Sequence, residues 1–548
     1  MKRFLLWSCL SLGLLTLIAC QTEPTRRSSG VAQQIGSIVN STVDDAGEPF
    51  VGTAVSPSLS RPVRDIPVPA PDPLLDREIR PRRFPSWLDG TPPNIVGEPD
   101  SLLAQNRLNT GQTPSPLLSF EGINNRIGGA PPDTVGDVGR NYYVQMVNVH
   151  LAIYDKSGVL QVGPIPIDDL WEGAKADACN PNGAGDPIVL YDELANRWLV
   201  SQFADPNHMC VAVSQTADPT GAYHLYTFDV GFFPDYFKFG VWPDGYYMSA
   251  NEASYTAYVF DRESMLAGQA ASFVKFSGQN NLLMPSDVDG AAPPAGAPNY
   301  FYTFKDDQEH GGPDRIEIYA MQADWAQPNN TTFSLLATIP VAPFTYTVCG
   351  FFNFQCVPQP GTSTRLDSVS EWPMFRWQYR NFGTHETLVG NFAIDVGSDR
   401  AGIRWFELRK SGAGEWQLRQ EGTHAPGSHH YFMGSAAMDR EGNIALGYSA
   451  SSTTLSPSIH YAVHQVGDPL GTLQAEAILH KGNGSQTGTD RWGDYSALSV
   501  DPADGCTFWY TTEYYASTSS ISWRTRIGTF RLPNCEATKV WLPFVATP

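Results

Sequence analysis

The chain of 548 residues is poor in basic charge. Lys and Arg number 36 against 56 Asp and Glu, a formal net charge of -20 at pH 7. Gripping a phosphate backbone needs a basic surface, so nucleic acid is not an expected partner. Long apolar runs are scarce too: beyond Phe4–Ile18 no stretch has the length and apolarity of a membrane-spanning helix. There is no Walker loop, no Gly-x-Ser-x-Gly elbow and no dinucleotide fingerprint. No Cys-x-x-Cys or Cys-x-x-His spacing points to zinc, and His385-Glu386 is not a zincin helix because Val389 stands where the second His is needed. These absences remove the common routes to phosphate, hydride and zinc chemistry. No cofactor is expected and no metal residue is assigned.

What the chain does have is repetition. Asp- or Gly-marked turns opening short alternating apolar runs recur at Asp133, Asp186, Tyr236, Asp287, Asp367, Gly434 and Asp494, at intervals of 53, 50, 51, 80, 67 and 60 residues. With 49 Gly, 43 Pro and 12% aromatic residues, the run reads as strands and turns throughout. A strand-only repeat near fifty residues, about four strands each, is the pattern of a β-propeller. The fold class expected is all-β: a β-propeller of seven blades, each of four antiparallel strands. The last repeat is one strand short, and Leu117–Gly122 precedes the first full blade, so closure by that N-terminal strand is expected. The interval of 80 leaves room for an eighth, irregular blade.

The N-terminal end has its own organisation. Lys2 and Arg3 precede the Phe4–Ile18 run, which is the layout of an export signal. Its end, Leu17-Ile18-Ala19-Cys20, resembles the bacterial lipobox, which implies acylation of Cys20; the alternative is an ordinary cleaved signal with an incidental Cys. The expected division is 1–20 signal peptide, 21–116 Pro/Ser/Thr-rich spacer, 117–535 propeller and 536–548 C-terminal tail. The expected location is extracytoplasmic, at the cell surface, with the membrane reached through lipid alone. A monomer is expected.

Setting aside Cys9 and Cys20, six cysteines remain, an even number in an exported chain. Pairing in sequence order, Cys179 with Cys210, Cys349 with Cys356 and Cys506 with Cys535, keeps each bridge inside one repeat.

Two stretches, Tyr379-Arg-Asn-Phe-Gly-Thr-His-Glu-Thr-Leu-Val389 and Arg491-Trp-Gly-Asp-Tyr-Ser-Ala-Leu-Ser-Val-Asp-Pro502 with its continuation Cys506–Tyr515, carry a resemblance. Together with Pro132–Val138 they resemble an uncharacterised family of exported bacterial β-propeller proteins over roughly residues 117–535. The resemblance implies the fold and supplies no catalytic residues.

In a propeller, ligand sites sit where the innermost strands begin. Those starts carry Asp133, Asp137, Asp186, Lys238, Asp287, Arg365, Asp367, His429 with His430, Arg491 and Asp494. Converging charge there would make a binding mouth for a polar ligand, a glycan or a protein partner. The competing reading is that these Asp residues cap turns through backbone amides. Structural calcium is an option at Asp287–Gly290, Asp439–Asn443 or Asp501–Gly505, although none matches an EF-hand loop. An alternative function is a surface glycoside hydrolase of sialidase type, for which Arg365, Arg491, Asp494, Glu513 and Tyr514 are the candidates. The compact sialidase box is absent; Ser499–Trp509 is at best a stretched form. A binding module, not an enzyme, is the expected function.

Overall fold

The computed structural model describes residues 47–70, 77–78 and 111–536, apart from 127, 175–177 and 351–352. The signal segment with Cys20 and the tail beyond residue 536 lie outside the described residues. No helix among the described residues is long and apolar enough to cross a membrane.

The strands form seven antiparallel four-stranded blades. Their innermost strands are Val135–Val138, Gly183–Asp192, Asp235–Trp242, Met284–Val288, Trp377–Asn381, His430–Met438 and Ala497–Val500, numbered blades 1 to 7 in that order. Inner strands are covered by neighbouring blades on both faces, so they read as unbroken apolar runs: Ile188, Val189 and Leu190 are all buried. The outermost strand of blade 4, Thr332–Pro340, is mostly exposed, with Phe333 and Ile339 turned inward.

The ring closes as the sequence suggests. Leu118–Asn124 pairs antiparallel with Arg524–Phe530 and becomes the outermost strand of blade 7. Among the described residues, the long interval between blades 4 and 5 holds no eighth blade. Residues 341–350 and 353–376 form a strap over the end of the channel at which the inner strands begin. Ser451 donates to the Pro358 carbonyl, Ser485 to that of Pro360, and the Asp367 amide to the Asp490 carbonyl.

Part of the expected spacer is built into the fold. Phe50–Val51 adds to the outer edge of blade 3, pairing with Lys275 and Val274, and Ser58–Leu59 adds to that of blade 2. Val63 and Ile66 behind them are buried. An outer blade edge exposes a row of free amides and carbonyls, and even a two-residue strand satisfies part of it. The Pro- and Ser-rich composition concealed these short apolar pairs.

Three disulfides form in sequence order, Cys179–Cys210, Cys349–Cys356 and Cys506–Cys535, and point to an oxidising compartment. The first ties the loop before blade 2 to its third strand, the second closes a short loop in the strap, and the third staples blade 7.

Neighbouring blades are joined by side chains that accept backbone amides across the gap. Asp137 of blade 1 accepts from the Tyr191 amide of blade 2 at 2.8 Å. Asp287 of blade 4 accepts from Val241 of blade 3 at 2.8 Å. Gln378 of blade 5 accepts from Met438 of blade 6, and Ser435 of blade 6 from Leu498 of blade 7 at 3.0 Å. Asp133, leading into blade 1, accepts from the Asp494 amide of blade 7 at 2.8 Å. Blades 2 and 3 are joined by Asp192, which takes Arg262 at 2.7 Å and the Tyr246 hydroxyl at 3.0 Å. Blades 4 and 5 pair directly, Ser286–Val288 running parallel to Trp377–Tyr379.

Ser435→Ala removes one such latch without touching a charge and leaves the buried Leu498 amide without an acceptor. Chemical denaturation is expected to show a loss of about 1–3 kcal/mol, against less than about 0.5 kcal/mol for an exposed serine.

Candidate functional site

The inner strands of several blades begin with the same backbone turn. Asp133, Asp186, Tyr236 and Met433 all have a left-handed φ, between 44° and 52°. Asp accepts this conformation more readily than Tyr or Met. In blades 2, 3 and 6 the register of the first two strands shifts just after it. The turn bends the strand entry toward the channel and carries the side chains there.

Asp133, Asp186, Asp494, Lys238 and Arg491 are brought together, all of them buried. One carboxylate oxygen from each of the three acids lies within 4.8 Å of the others. Asp133 also accepts from Asn148 at 2.5 Å, and Asn148 takes the Asp186 amide at 2.8 Å. Arg491 bonds to Asp494 at 2.5 Å. The Lys238 ammonium donates to the Phe237 carbonyl at 3.0 Å and sits 3.5 Å from the centre of the Tyr236 ring and 4.1 Å from that of Tyr495. Burial, reinforced by the Asp494 charge, pushes Asp133 up to about 7. Burial and then Asp133 and Asp494 raise Asp186 well above the carboxylate range. Burial pulls Lys238 down to about 8, against the pull of Asp186.

Asp137 and Asp287 belong to a separate cluster. Arg376 bridges Asp287 and Asp289, and Gln378 bonds to Asp289. Burial is the first cause raising Asp137 to about 6 and Asp287 to about 7; Arg376 opposes both. Asp367 is buried in the strap, where it accepts from the Val369 amide at 2.9 Å and adds to the negative charge around Arg491. Arg365 and His429 stay outside both clusters: Arg365 is exposed and bonds to the Cys356 carbonyl at 3.0 Å, and His429 is part-exposed with its carbonyl facing Arg400.

The strap seals the channel mouth over these groups. Trp372 packs against Tyr236 with ring centres 4.4 Å apart and planes tilted by 50°, and donates to the Tyr255 hydroxyl at 3.2 Å. The Tyr236 hydroxyl reaches the carbonyls of Pro373 in the strap and Asp494 in the cluster. The converging charges thus form a buried core and not an open mouth. The sialidase arrangement is not assembled either. Glu513 and Tyr514 are adjacent strand residues and point to opposite faces; the Tyr514 hydroxyl bonds to Glu121, while Glu513 accepts from Thr134 and Thr512 at 3.0 Å. The acidic turns proposed for calcium use their oxygens on neighbouring amides: Asp439 takes Glu441 and Asn443, Asp501 takes Ala503, and Asp504 takes Cys506 and Thr507.

An open concavity lies elsewhere. A cleft of about 860 Å³ runs between the outer edges of blades 2 and 3, roofed by the segment that carries Phe50 and Ser58. Phe50 and Phe232 are each 55% exposed on its walls. Between them the Lys275 ammonium lies 5.6 Å and 5.8 Å from the two ring centres, donates to the Val230 carbonyl at 2.5 Å and pairs with Glu252 at 3.6 Å. His208, with Nδ1 unpartnered, and Asp229 add polar groups. This cleft left little trace in the sequence pattern, because its roof is the supposed spacer. The isolated Phe50-Val51 pair was the available hint.

No protein-family description and no curated protein matches this chain in sequence. Among solved structures it is similar to the WD40 domain of SCAP from fission yeast (10% identity, 75% of this chain and 97% of that one, TM-score 0.31). It is also similar to the lectin SapL1 in complex with alpha methyl fucoside (11%, 63% and 97%, TM-score 0.30) and to the polysaccharide lyase Uly1 (11%, 78% and 94%, TM-score 0.35).

Glu513 supplies a test of the buried core. It is fully buried, one of its oxygens has no partner, and burial raises it to about 8. The unfolded chain loses this proton above about pH 4.5, while the folded chain keeps it until about 8. Between those values the folded state binds more protons, so stability falls as pH rises, by up to ~1.4 kcal/mol per pH unit. Glu513→Gln is expected to flatten that decline in denaturation curves taken from pH 5 to 8, and an unchanged slope would show that the proton is not held.

Proposed function

We propose that this chain is an exported, lipid-anchored β-propeller that binds a carbohydrate in the cleft between blades 2 and 3. The observation that carries the reading is the pair of exposed rings, Phe50 and Phe232, on either side of Lys275. The C–H face of a sugar ring packs on an aromatic face, and its hydroxyls need donors and acceptors close by. Lys275, His208 and Asp229 are suited to supply them. The cleft volume lies within the range of small-ligand sites. Support for export comes from the three disulfides and the signal-like N-terminus; support for the anchor is Cys20 at the end of the apolar run. Binding without turnover fits best, since the acids of the channel are sealed beneath Trp372.

The full chain carrying Cys20→Ser, which removes the acylation point, is the material for a glycan array. Selective binding is expected, with Phe232→Ala or Phe50→Ala weakening it about tenfold or more, the ~1.4 kcal/mol that one stacked ring contributes. Because both rings are exposed, melting should change little. Glycan binding that survives both substitutions would move the site elsewhere, and release of reducing sugar would overturn the non-enzymatic reading.

The anchor is checked separately. The unsubstituted chain should take up radiolabelled fatty acid and sediment with membranes, and Cys20→Ser should do neither.

A further inference from the structure

The channel gathers more acidic groups than cations. Around Asp133, Asp186 and Asp494 also lie Asp235, Asp367 and Glu513, and among the described residues the cations that face this group are Lys238 and Arg491. The donors are distributed unevenly. Each Asp133 oxygen accepts one hydrogen bond, from the Asp494 amide and from Asn148, and Asp494 is held by Arg491. Among the described residues no side chain or amide donates to the Asp186 carboxylate, in a residue only 4% exposed. Its backbone amide is fixed to Asn148 and its side chain faces the other two acids, yet Lys238 spends its ammonium on the Phe237 carbonyl and two tyrosine rings. A buried carboxylate without a donor has a strong unmet demand for positive charge.

We propose that Asp133, Asp186 and Asp494 hold one hard divalent cation, Ca²⁺ by fit, at the centre of the propeller. Carboxylate oxygens select Ca²⁺, Mg²⁺ or Mn²⁺ over softer metals. Ca²⁺ at ~2.3–2.6 Å from each ligand spans oxygens up to ~5 Å apart. Three oxygens within 4.8 Å of one another lie close to the spacing that such an ion sets among its ligands. Water completes the coordination. Asp186 is the ligand with no other duty, whereas Asp133 and Asp494 also tie blade 1 to blade 7. The ion then links the entries of blades 1, 2 and 7. This site is independent of the cleft and of its ligand.

The test uses the full chain carrying Cys20→Ser, stripped with chelator, reloaded with Ca²⁺ and freed of unbound ion. Mass spectrometry is expected to find about one Ca²⁺ per chain, and the melting temperature to rise by several degrees on reloading. Asp186→Asn should abolish both, while Asp439→Asn, at an acidic turn whose oxygens already serve amides, should leave both unchanged. Fewer than about one Ca²⁺ in ten unsubstituted chains, or undiminished binding in Asp186→Asn, overturns the proposal. Should Asp186→Asn fail to fold, Tb³⁺ luminescence of the parent chain decides. Emission sensitised by Trp372, Tyr236 and Tyr495 and displaced by Ca²⁺ supports the site, and its absence refutes it.

Discussion

Every inner strand of a propeller has one edge with no fifth strand to pair against, and that edge faces the channel. Its amides are buried and need acceptors. Here the acceptors are short side chains reaching from the next blade: Asp133, Asp137, Asp287, Gln378 and Ser435. Asp192 and the parallel pairing of Ser286–Val288 with Trp377–Tyr379 cover the two remaining junctions. The circle of blades is therefore held at its narrowest point by polar contacts, with the large apolar contacts outside them.

That solution has an electrostatic cost. Aspartate is the most compact acceptor, but several of them around one axis concentrate negative charge where water is scarce. Lys238, Arg376 and Arg491 offset part of it. The strap does the rest of the sealing: Trp372 and Tyr236 turn the mouth into an aromatic lid anchored on blades 5, 6 and 7. The consequence is that the axis serves cohesion. The open cleft lies at the blade edges, where the chain's own N-terminal segment builds a wall.

Most of the architecture was legible because strand periodicity survives in the sequence: Asp133, Asp186 and Tyr236 mark the very residues whose left-handed turns open blades 1 to 3. The closing strand was legible as well, since an unpaired apolar run ahead of the first blade had one vacancy to fill. The site was less so. The Asp residues picked out in the sequence lie at the channel, and for Asp137 and Asp287 their work is amide capping across a blade junction. Convergence of Asp133, Asp186 and Asp494 spans 361 residues between the first and last and has no local signature. Arg365 was misplaced because the strap carries it away from the axis. The cleft was hidden because two-residue strands such as Phe50–Val51 acquire their meaning from the edge they meet, not from their own sequence.

The clasp of blade 7 also dictates an order of events. Ser119 and Arg526, which meet there, are 407 residues apart. A chain emerging from its N-terminus presents Leu118–Asn124 long before a partner exists. Six blades can assemble behind it while that strand waits with an open edge, a period of exposure to wrong pairing with other chains. Native contacts of such long range slow folding. Arg524–Phe530, the last strand among the described residues, acts as the commit step that turns an open arc into a ring.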